Sequence, residues 1–299
     1  MSRSDARRPI VAGVDPDPAR RTALAWAADE AERRGTPLRL VHAESVPTTE
    51  LRRWDVPASW EAQNRTVHAA GEQALQRAAA FVAARRPGVE VSALPVEGHP
   101  AQILQEQSHD ATALVLGSRH LNLALGLFGS AAVALSVLAH ARCPVVVVPE
   151  PEHVPEQPPY VVVGVDGSAR CTAAVAFAFA FAFAFEEASL HGAALRALYV
   201  WRPGLLGVLD AQSARQECRR LLHESVAGRG AAYPDVELRH ELVSGHPAEA
   251  LTEASADALG PVVGTRGHGA FTGALLGSVS RAVLRRARCP VIAVPLTSR

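Results

Sequence analysis

Five glycines and several hydroxyl side chains are concentrated in one stretch near the end of the chain, VVGTRGHGAFTGALLGSVS, residues 262 to 280. Glycine lets backbone amides approach an anion closely, and a serine at a helix start can cap the helix. The next segment, VSRAVLRRA, has a helical pattern, so its first amides and its dipole would point at this loop. This combination is compatible with a phosphate-binding loop, but taken alone it is a weak signal for one. A flexible bend between a strand and a helix is the alternative.

A second chemical candidate is Asp166, which ends the apolar run VVVGVD. A carboxylate at the end of a strand can accept hydrogen bonds from ribose hydroxyls or hold Mg²⁺ through water. Asp166 could instead be an ordinary turn or helix-cap residue. Ser168, two positions later, is better explained as a helix cap than as a ligand.

The segments that must position these residues occur twice, because the chain is a tandem duplication. The following segments pair in the same order in the two copies: IVAGVD with VVVGVD, PLRLVHA with ALRALYV, VEGHPAQIL with LVSGHPAEAL, LVLGSR with PVVGTR, and ARCPVVVVP with ARCPVIAVP. We therefore divide the chain into a first domain at 1–149 and a second at 160–299. The proline-rich segment 150–159 between them is predicted to be an extended spacer.

Within each copy, short runs of Val, Leu and Ile alternate with Ala- and Arg-rich stretches of helical period. This order predicts an α/β fold with two Rossmann-like domains, each containing a five-stranded parallel sheet covered by helices on both faces. Sheets of this kind bind ligands at the carboxyl ends of their strands, where the strand order reverses. Cys143 and Cys289 occupy matching positions and are expected to be small buried residues.

One stretch fits this pattern poorly: AFAFAFAFAF, residues 176–185, which contains five of the eight phenylalanines. Strict alternation is typical of a strand, and the apolar run is too short to span a bilayer. From Asp15 to Leu38 is 23 residues and from Asp166 to Leu195 is 29, so the second copy has six extra residues in its first helix. We expect an overlong, distorted or bulged helix with exposed phenylalanines and a tendency to aggregate.

Composition excludes several classes of partner. The chain has 30 basic and 30 acidic side chains, with no run of Lys or Arg. Nucleic acid and anionic membranes are therefore not expected to be primary ligands. The first residues lead almost directly into a strand-like segment without the pattern of a signal peptide, so a cytoplasmic protein is expected. The histidines show no metal-binding spacing, and His99 and His246, which recur in GHPA before a helix, are expected to be loop or capping residues.

The spacing G-x2-G-x9-G-S in the second copy, its strand end GVDGS and its closing CPVIAVP together resemble the universal stress protein family. The resemblance covers both halves. It implies a sheet order of 3-2-1-4-5 in each domain and ATP binding by the glycine motif. Many members of the family are dimers, and a tandem chain looks like a dimer fused into one polypeptide. An intrachain pseudo-dimer, with or without further homodimerisation, is therefore expected.

The resemblance also implies roles for individual residues. Asp166 would lie beside the nucleoside and a Mg²⁺ ion, and Val200 would meet adenine through its backbone. Gly264 and Gly267 would line the approach to the ribose and phosphates. The residues expected to hold the phosphates are Gly277, Ser278 and Ser280.

The first copy departs from this motif. Its matching residues are Asp15, Ala43 and Gly117, but His120 stands in the position of Gly267. Gly129 and Ser130 arrive one residue too early, since Gly117 to Gly129 is 12 positions and Gly264 to Gly277 is 13. An alignment without gaps back from the matched cysteines places alanines and a valine on the motif instead, at positions 131 to 134. Under either alignment we expect a weak or empty first site.

The second copy has an irregularity of its own, because Gly260 and Pro261 open its fourth strand. Proline removes a donor from the ladder and glycine loosens the chain, so a shortened strand and a weakened phosphate loop are expected.

The sequence leaves three functions in competition. A dinucleotide oxidoreductase is disfavoured because the glycines follow the fourth strand, and GxxxxGK[ST] and GxSxG motifs are absent. Apart from Asp166, with Arg266 and Arg281 as weaker candidates, no evident group would support ATP hydrolysis. We therefore favour an ATP-binding regulator with little or no turnover. A slow ATP hydrolase and an interaction scaffold that binds no nucleotide are the alternatives.

Overall fold

The computed structural model describes residues 7–17, 21–44, 58–118, 130–165, 171–201, 216, 220, 232–265 and 276–295. Apolar runs rich in β-branched residues form its strands, as expected for strands buried on both faces. The strands are β1 Ile10–Gly13, β2 Leu38–Glu44, β3 Val91–Glu97, β4 Ala113–Gly117, β5 Val145–Val148, β6 Tyr160–Val165, β7 Ala194–Trp201, β8 Leu238–Ser244, β9 Gly260–Gly264 and β10 Val291–Val294.

Helices connect the strands in both halves. Those within the described ranges are α1 Thr22–Arg34, α2 Ala58–Arg85, α3 Pro100–Gln107, α4 Ser130–His140, α5 Cys171–Leu190, α6 Pro247–Ala254 and α7 Ser278–Arg286. Most of the segment between β7 and β8 lies outside the described residues. Proline at the first position of α3 and α6 suits a helix start, because that amide has no partner within the helix.

All ten strands form one sheet in the order β3-β2-β1-β4-β5-β10-β9-β6-β7-β8. Pairing within each half is parallel, and each half has the order 3-2-1-4-5 expected from the sequence. The α/β class, the duplicated architecture and the strand order are thus confirmed. In each half the order reverses between the first and fourth strands, which places a ligand-binding crevice at their carboxyl ends.

The two halves meet through the edge strands β5 and β10, which pair antiparallel. Val146 lies opposite Ile292, and counting from the matched Cys143 and Cys289 shows that these two residues are equivalent. The flanking pairs, Val145 with Ala293 and Val147 with Val291, exchange places under the same correspondence, so the junction has the self-complementary form of a two-fold interface. Pairing also removes two exposed sheet edges, which are otherwise sites of aggregation.

The core continues across this junction on both faces of the sheet. On one face, buried residues of α1 and α2 share a cluster with those of α5. On the other face, α3 and α4 share a cluster with α6 and α7. The two matched cysteines are buried as expected, and burial raises the pKa of the Cys143 thiol to about 12 and that of Cys289 to about 11. The halves therefore pack as one body.

The alanine–phenylalanine stretch forms one continuous helix, α5, of 20 residues against 13 in α1. Both helices end at a glycine with positive φ, Gly35 and Gly192. Thr22 lies 13 residues before Gly35 and Cys171 lies 21 before Gly192, so α5 begins eight positions earlier. Eight residues add about 12 Å of helix at the end near the carboxyl edge of the sheet. The expected overlong helix is confirmed.

The phenylalanines of α5 were expected to be exposed, but the three whose side chains are described, Phe181, Phe183 and Phe185, are buried. That expectation was therefore wrong for these residues. Phe181 and Phe185 are fully buried and pack against each other with ring centroids 5.5 Å apart. Phe183, on another face of the helix, lies under the Arg34 guanidinium of the first half. The sheet covers one side of α5 and α1 contacts another. Phenylalanines that alternate along the sequence and so lie on different faces of the helix are therefore still buried. None of the described helices, α5 included, combines the length and hydropathy that a membrane crossing requires.

Strand β9 is not shortened, which corrects the expectation for Gly260 and Pro261. It has five residues, like β4, and Pro261 keeps its place in the ladder opposite Val162. In the first half the Leu114 amide donates to the Pro144 carbonyl at 2.9 Å. Pro261 has no amide proton to make the equivalent bond to Pro290, so the loss is one hydrogen bond at the start of the strand.

Gly260 was expected to loosen the chain, but the structure shows that the close approach of Pro290 to β9 requires glycine here. A Cβ at this position would collide with the carbonyl oxygen of Pro290. Glycine therefore allows the chain from Pro290 to pass close to β9, and the strand reaches Gly264 with its full length.

Candidate functional site

The glycine motif of the second half ends at the start of α7. Gly277 is the N-cap residue and Ser278 is the first helical residue. The first amides of a helix have no carbonyl partner within it, and no side chain caps α7. Ser278 is exposed at this end. The helix therefore presents backbone donors and the positive end of its dipole beside the carboxyl end of β9, an arrangement suited to an anion.

Two hydrogen bonds hold this helix start against the strand. The Gly277 amide donates to the Thr265 carbonyl at 2.8 Å, and the buried Ser280 hydroxyl donates to the Gly264 carbonyl at 2.6 Å. A hydroxyl has one proton to donate, so in this structure Ser280 binds the end of β9. Its chemical effect is to fix the distance between the strand end and the helix amides.

The remaining predicted residues of the second site are only partly described. Val200 is half-buried on β7, opposite Val243 and one residue beyond the last position at which β6 pairs with β7. Gly264 ends β9 beside β6. Asp166 and Gly267 lie outside the described residues, as do His268 and Arg266. The structure thus brings together Val200, Gly264, Gly277, Ser278 and Ser280 at the carboxyl edge of the sheet.

The first half places its matching residues at the equivalent edge. Asp15 follows β1, and its Oδ1 accepts a hydrogen bond from the Asp17 amide at 2.9 Å, as a turn carboxylate does. Ala43 is half-buried near the end of β2, and Gly117 is exposed at the end of β4. Gly129 and His120 lie outside the described residues.

Helix α4 begins at Ser130, two residues earlier than α7 begins when both are counted back from the matched cysteines. On that count the position of Ser280 is occupied by Ala134, which is buried but has no hydroxyl. In the alignment that matches Gly129 with Gly277, the position falls on Ala132. Under both alignments the side chain that ties α7 to its strand has no counterpart in α4.

The sequence analysis missed a group of carboxylates and imidazoles at the edge of the first half. Buried Glu44, directly after Ala43, has its Oε2 against Nδ1 of His68 of α2. The other ring nitrogen of His68 lies 3.1 Å from Glu97 Oε1 at the end of β3. Glu44 and Glu97 are opposite each other in the ladder, and the equivalent pair in the second half is Trp201 and Ser244. This pairing of carboxylates was visible in the sequence only once the register was known.

Close packing of α2 against β2 explains why this cluster forms. A Cβ at Gly71 would collide with Glu44 Oε1 and come within 2.8 Å of the His42 ring. The glycine lets α2 approach, and His68 on the same helix reaches Glu44. Two carboxylates at this edge disfavour a phosphate group in the first half, whereas the equivalent strand ends of the second half carry none.

The repeated GHPA segments behave as expected, since His99 and His246 are the N-cap residues of α3 and α6. The Ala248 amide donates to Nδ1 of His246 at 3.3 Å, whereas the His99 side chain makes no capping bond. Neither histidine is therefore required as a ligand.

Comparison with known proteins gives a consistent result. The model of the universal stress protein family matches residues 6–149 and again residues 160–295. A universal stress protein of Mycobacterium tuberculosis strain H37Rv is 36% identical over 311 residues, covering 98% of each chain, and another from that strain is 35% identical over 309 residues, also covering 98% of each. A solved universal stress protein from Archaeoglobus fulgidus covers 95% of this chain and 96% of its own at a TM-score of 0.62. At 16% identity it shows similarity of fold alone.

Proposed function

This chain belongs to the universal stress protein family, and on that premise we propose that it binds an adenine nucleotide, ATP, at the carboxyl edge of its second half. Nucleotide occupancy would act as a regulatory signal, with little or no turnover. The phosphates would lie at the start of α7, where backbone amides and the helix dipole favour negative charge.

The observation that carries the proposal is the contrast between the two edges. In the second half, Ser280 Oγ and the Gly277 amide bind the end of β9 and fix the helix start. In the first half, Ala134 or Ala132 replaces that serine, and Glu44 and Glu97 add negative charge. An anionic ligand is therefore favoured in the second half and disfavoured in the first.

The remaining parts of ATP are assigned by position. The backbone of Val200 would read the adenine edge, and Gly264 and Gly267 would line the ribose and the path to the phosphates. Asp166 would accept from the ribose or hold Mg²⁺ through water, since carboxylate oxygens are the ligands that Mg²⁺ prefers. Ser278, exposed at the first helical position, would donate to a phosphate, while Ser280 would position the helix.

Low turnover follows from the groups on this edge. Phosphoryl transfer needs a positioned nucleophile and cations that stabilise the developing charge. Among the described residues of this edge, Arg281 lies three residues into α7 and is exposed to solvent. The chain would therefore hold ATP as a ligand.

The test is to purify the full chain, release any bound nucleotide by denaturation and identify it, then to titrate ATP into the nucleotide-free protein by calorimetry. A matched pair of variants separates binding from folding: Ser278→Asp at the start of α7 and Ser130→Asp at the start of α4. Aspartate in a first helical turn stabilises the helix. In α7 it would also repel phosphate, because placing like charges together costs several kcal/mol.

We expect about one ATP per chain, at least a tenfold loss of affinity in Ser278→Asp, and no change in Ser130→Asp. An ATP hydrolysis assay on the same samples should show no multiple turnover. Equal losses in both variants would place binding elsewhere and contradict the assignment. Multiple turnovers would make the protein a hydrolase, and failure to bind ATP at any concentration would favour the scaffold.

A further inference from the structure

A buried group of charged side chains joins the two halves at the C-terminal ends of α1 and α5, far from the proposed nucleotide edge. Counting back from Gly35 and Gly192 shows that Glu30 of α1 is equivalent to Glu187 of α5, and that Arg34 is equivalent to His191. Each helix thus contributes a glutamate and, four residues later, a nitrogen base. The pseudo-two-fold symmetry of the group is broken where Arg34 of the first half is matched by His191, and where Arg33 is matched by Leu190.

This substitution changes what the group can bind. Two arginines would supply only donors, since a guanidinium has no acceptor, whereas an imidazole nitrogen offers a lone pair to a metal ion. Glu30 and Glu187 are almost fully buried and His191 is 13% exposed. One ligand atom from each of these three residues lies within 4.8 Å of the others.

Arg34 holds each carboxylate by one oxygen and leaves the other directed at the imidazole. Its Nε donates to Glu30 Oε1 at 2.5 Å, and its Nη2 donates to Glu187 Oε1. The opposite oxygens face His191: Nε2 lies 3.2 Å from Glu30 Oε2 and 3.7 Å from Glu187 Oε2. Ligands of a tetrahedral zinc ion at ordinary bond lengths are about 3.3 Å apart, so the spacing suits such an ion. Arg34 would then orient the ligands from behind.

The structure already places a positive group against two of these ligand atoms. Arg33 Nη1 lies 3.0 Å from Glu30 Oε2 and 3.4 Å from His191 Nε2. The Arg33 side chain is 35% exposed, so it can leave toward solvent.

The composition of the group also suits a cation. Three carboxyl groups, those of Glu30, Glu186 and Glu187, lie against two guanidinium groups, those of Arg33 and Arg34. A divalent cation in the place of Arg33 would bring one more positive charge to these buried carboxyl groups, which favours their ionised form.

We infer that Glu30, Glu187 and His191 form a binding site for a divalent transition-metal ion of the zinc class, with water as the fourth ligand in the place of Arg33. Mixed imidazole and carboxylate donors suit such ions better than Mg²⁺ or Ca²⁺. Because Glu30 belongs to the first half and the other two ligands to the second, the ion would cross-link the halves. This inference is independent of the proposed nucleotide function.

The test uses the full chain, freed of metal with a chelator and then titrated with Zn²⁺ against a chromophoric competitor, with Co²⁺ absorption reporting the geometry. We expect one site per chain with a tetrahedral Co²⁺ spectrum. The decisive variant is His191→Arg, which places the same residue at this position as Arg34 in the first half and keeps a cation beside Glu30 and Glu187. It should remain folded and lose zinc affinity by at least about tenfold.

Two further variants complete the design. Arg33→Gln removes the cation that competes with zinc and should bind zinc about fivefold more tightly. This factor corresponds to losing the ion pair between partly exposed Arg33 and Glu30, which is worth about 1 kcal/mol. His140→Gln, which changes an exposed histidine of α4, should bind as the unaltered chain does. Equal zinc affinity in His191→Arg and the unaltered chain would overturn the inference. So would weaker zinc binding in Arg33→Gln, a surface change that does not threaten folding.

Discussion

The first helix of each half packs on the same face of one continuous sheet, yet the two helices fill that space with different side chains. Aligned on Gly35 and Gly192, Leu24 and Ala28 of α1 correspond to Phe181 and Phe185 of α5, and all four are buried. Phe185 also stacks on Tyr233, with ring centroids 5.5 Å apart. Duplication therefore kept the backbone while each copy developed its own packing.

This difference shows that the equivalent elements are not interchangeable. The second copy tolerates a helix eight residues longer at its start because its C-terminal part keeps the register of α1. Added turns extend beyond the carboxyl edge instead of displacing the packed part. The same asymmetry appears at the candidate site, where one copy has Ser280 and the other has two carboxylates.

The largest expected effect comes from exchanging residues between these helices. Phe185→Ala installs the side chain of Ala28 in the second half and should lower the free energy of unfolding by about 3–5 kcal/mol, because it leaves a cavity among Phe181, Tyr233 and the sheet. Chemical denaturation followed by circular dichroism measures it.

The reciprocal change, Ala28→Phe, should also destabilise, by about 1–3 kcal/mol, because it overpacks a site that is fully buried. A loss below about 1 kcal/mol for Phe185→Ala would mean that the two copies repack freely and would remove the contrast between them.

The packing contrast marks a limit of sequence reasoning. Periodicity and the internal duplication predicted the alternation of strands and helices in each half, with α5 assigned from the duplication because its own alternation is typical of a strand. The resemblance supplied the strand order. Burial of Phe183 could not be predicted, since it depends on Arg34 from the other half. Likewise, the apolar pattern of β5 and β10 indicates strands that are buried on both faces, but it does not show that these two strands pair with each other across the junction.

A smaller effect is expected at the start of the fourth strand. Gly260→Ala should cost about 1–3 kcal/mol, because the new Cβ collides with the Pro290 carbonyl in a buried region. The matched change in the first half, Ala113→Gly, should cost about 1–2 kcal/mol, from backbone entropy and the loss of one buried methyl group.

Thermal unfolding of the two variants distinguishes them. If Gly260→Ala lowers the free energy of unfolding no more than Ala113→Gly does, the chain around Pro290 can move away from the new Cβ. Position 260 would then not require glycine, and β9 would not differ from β4 in this respect. The sequence indicated that Gly260 and Pro261 were unusual, but only the three-dimensional approach of Pro290 shows why they occur together.

At the candidate site, too, the sequence pattern predicted the positions of residues, whereas their contacts were known only from the structure. Glycine spacing predicted that Gly264, Gly277 and Ser278 lie at the carboxyl edge of the sheet, because those positions follow from the fold. The donor role of Ser280 depends on which acceptor lies nearest, and the structure provides the Gly264 carbonyl at 2.6 Å. Glu44 and His68 were not anticipated, since their meeting depends on the approach of α2 at Gly71.

The smallest expected effect sharpens this last distinction. Ser280→Ala should lower the free energy of unfolding by about 1 kcal/mol in the absence of nucleotide, because the Gly264 carbonyl loses its donor. Ser278→Ala, the same change at an exposed position without a capping bond, should alter stability by less than about 0.5 kcal/mol. Denaturation without nucleotide measures both.

The ATP affinity of Ser280→Ala tests how this hydroxyl acts. If Ser280 acts as proposed, its loss weakens ATP binding through the position of α7, so the losses of stability and of ATP affinity appear together. Loss of ATP affinity with unchanged stability would instead show that its hydroxyl turns from Gly264 to a phosphate, and that both halves hold their strand ends without a serine.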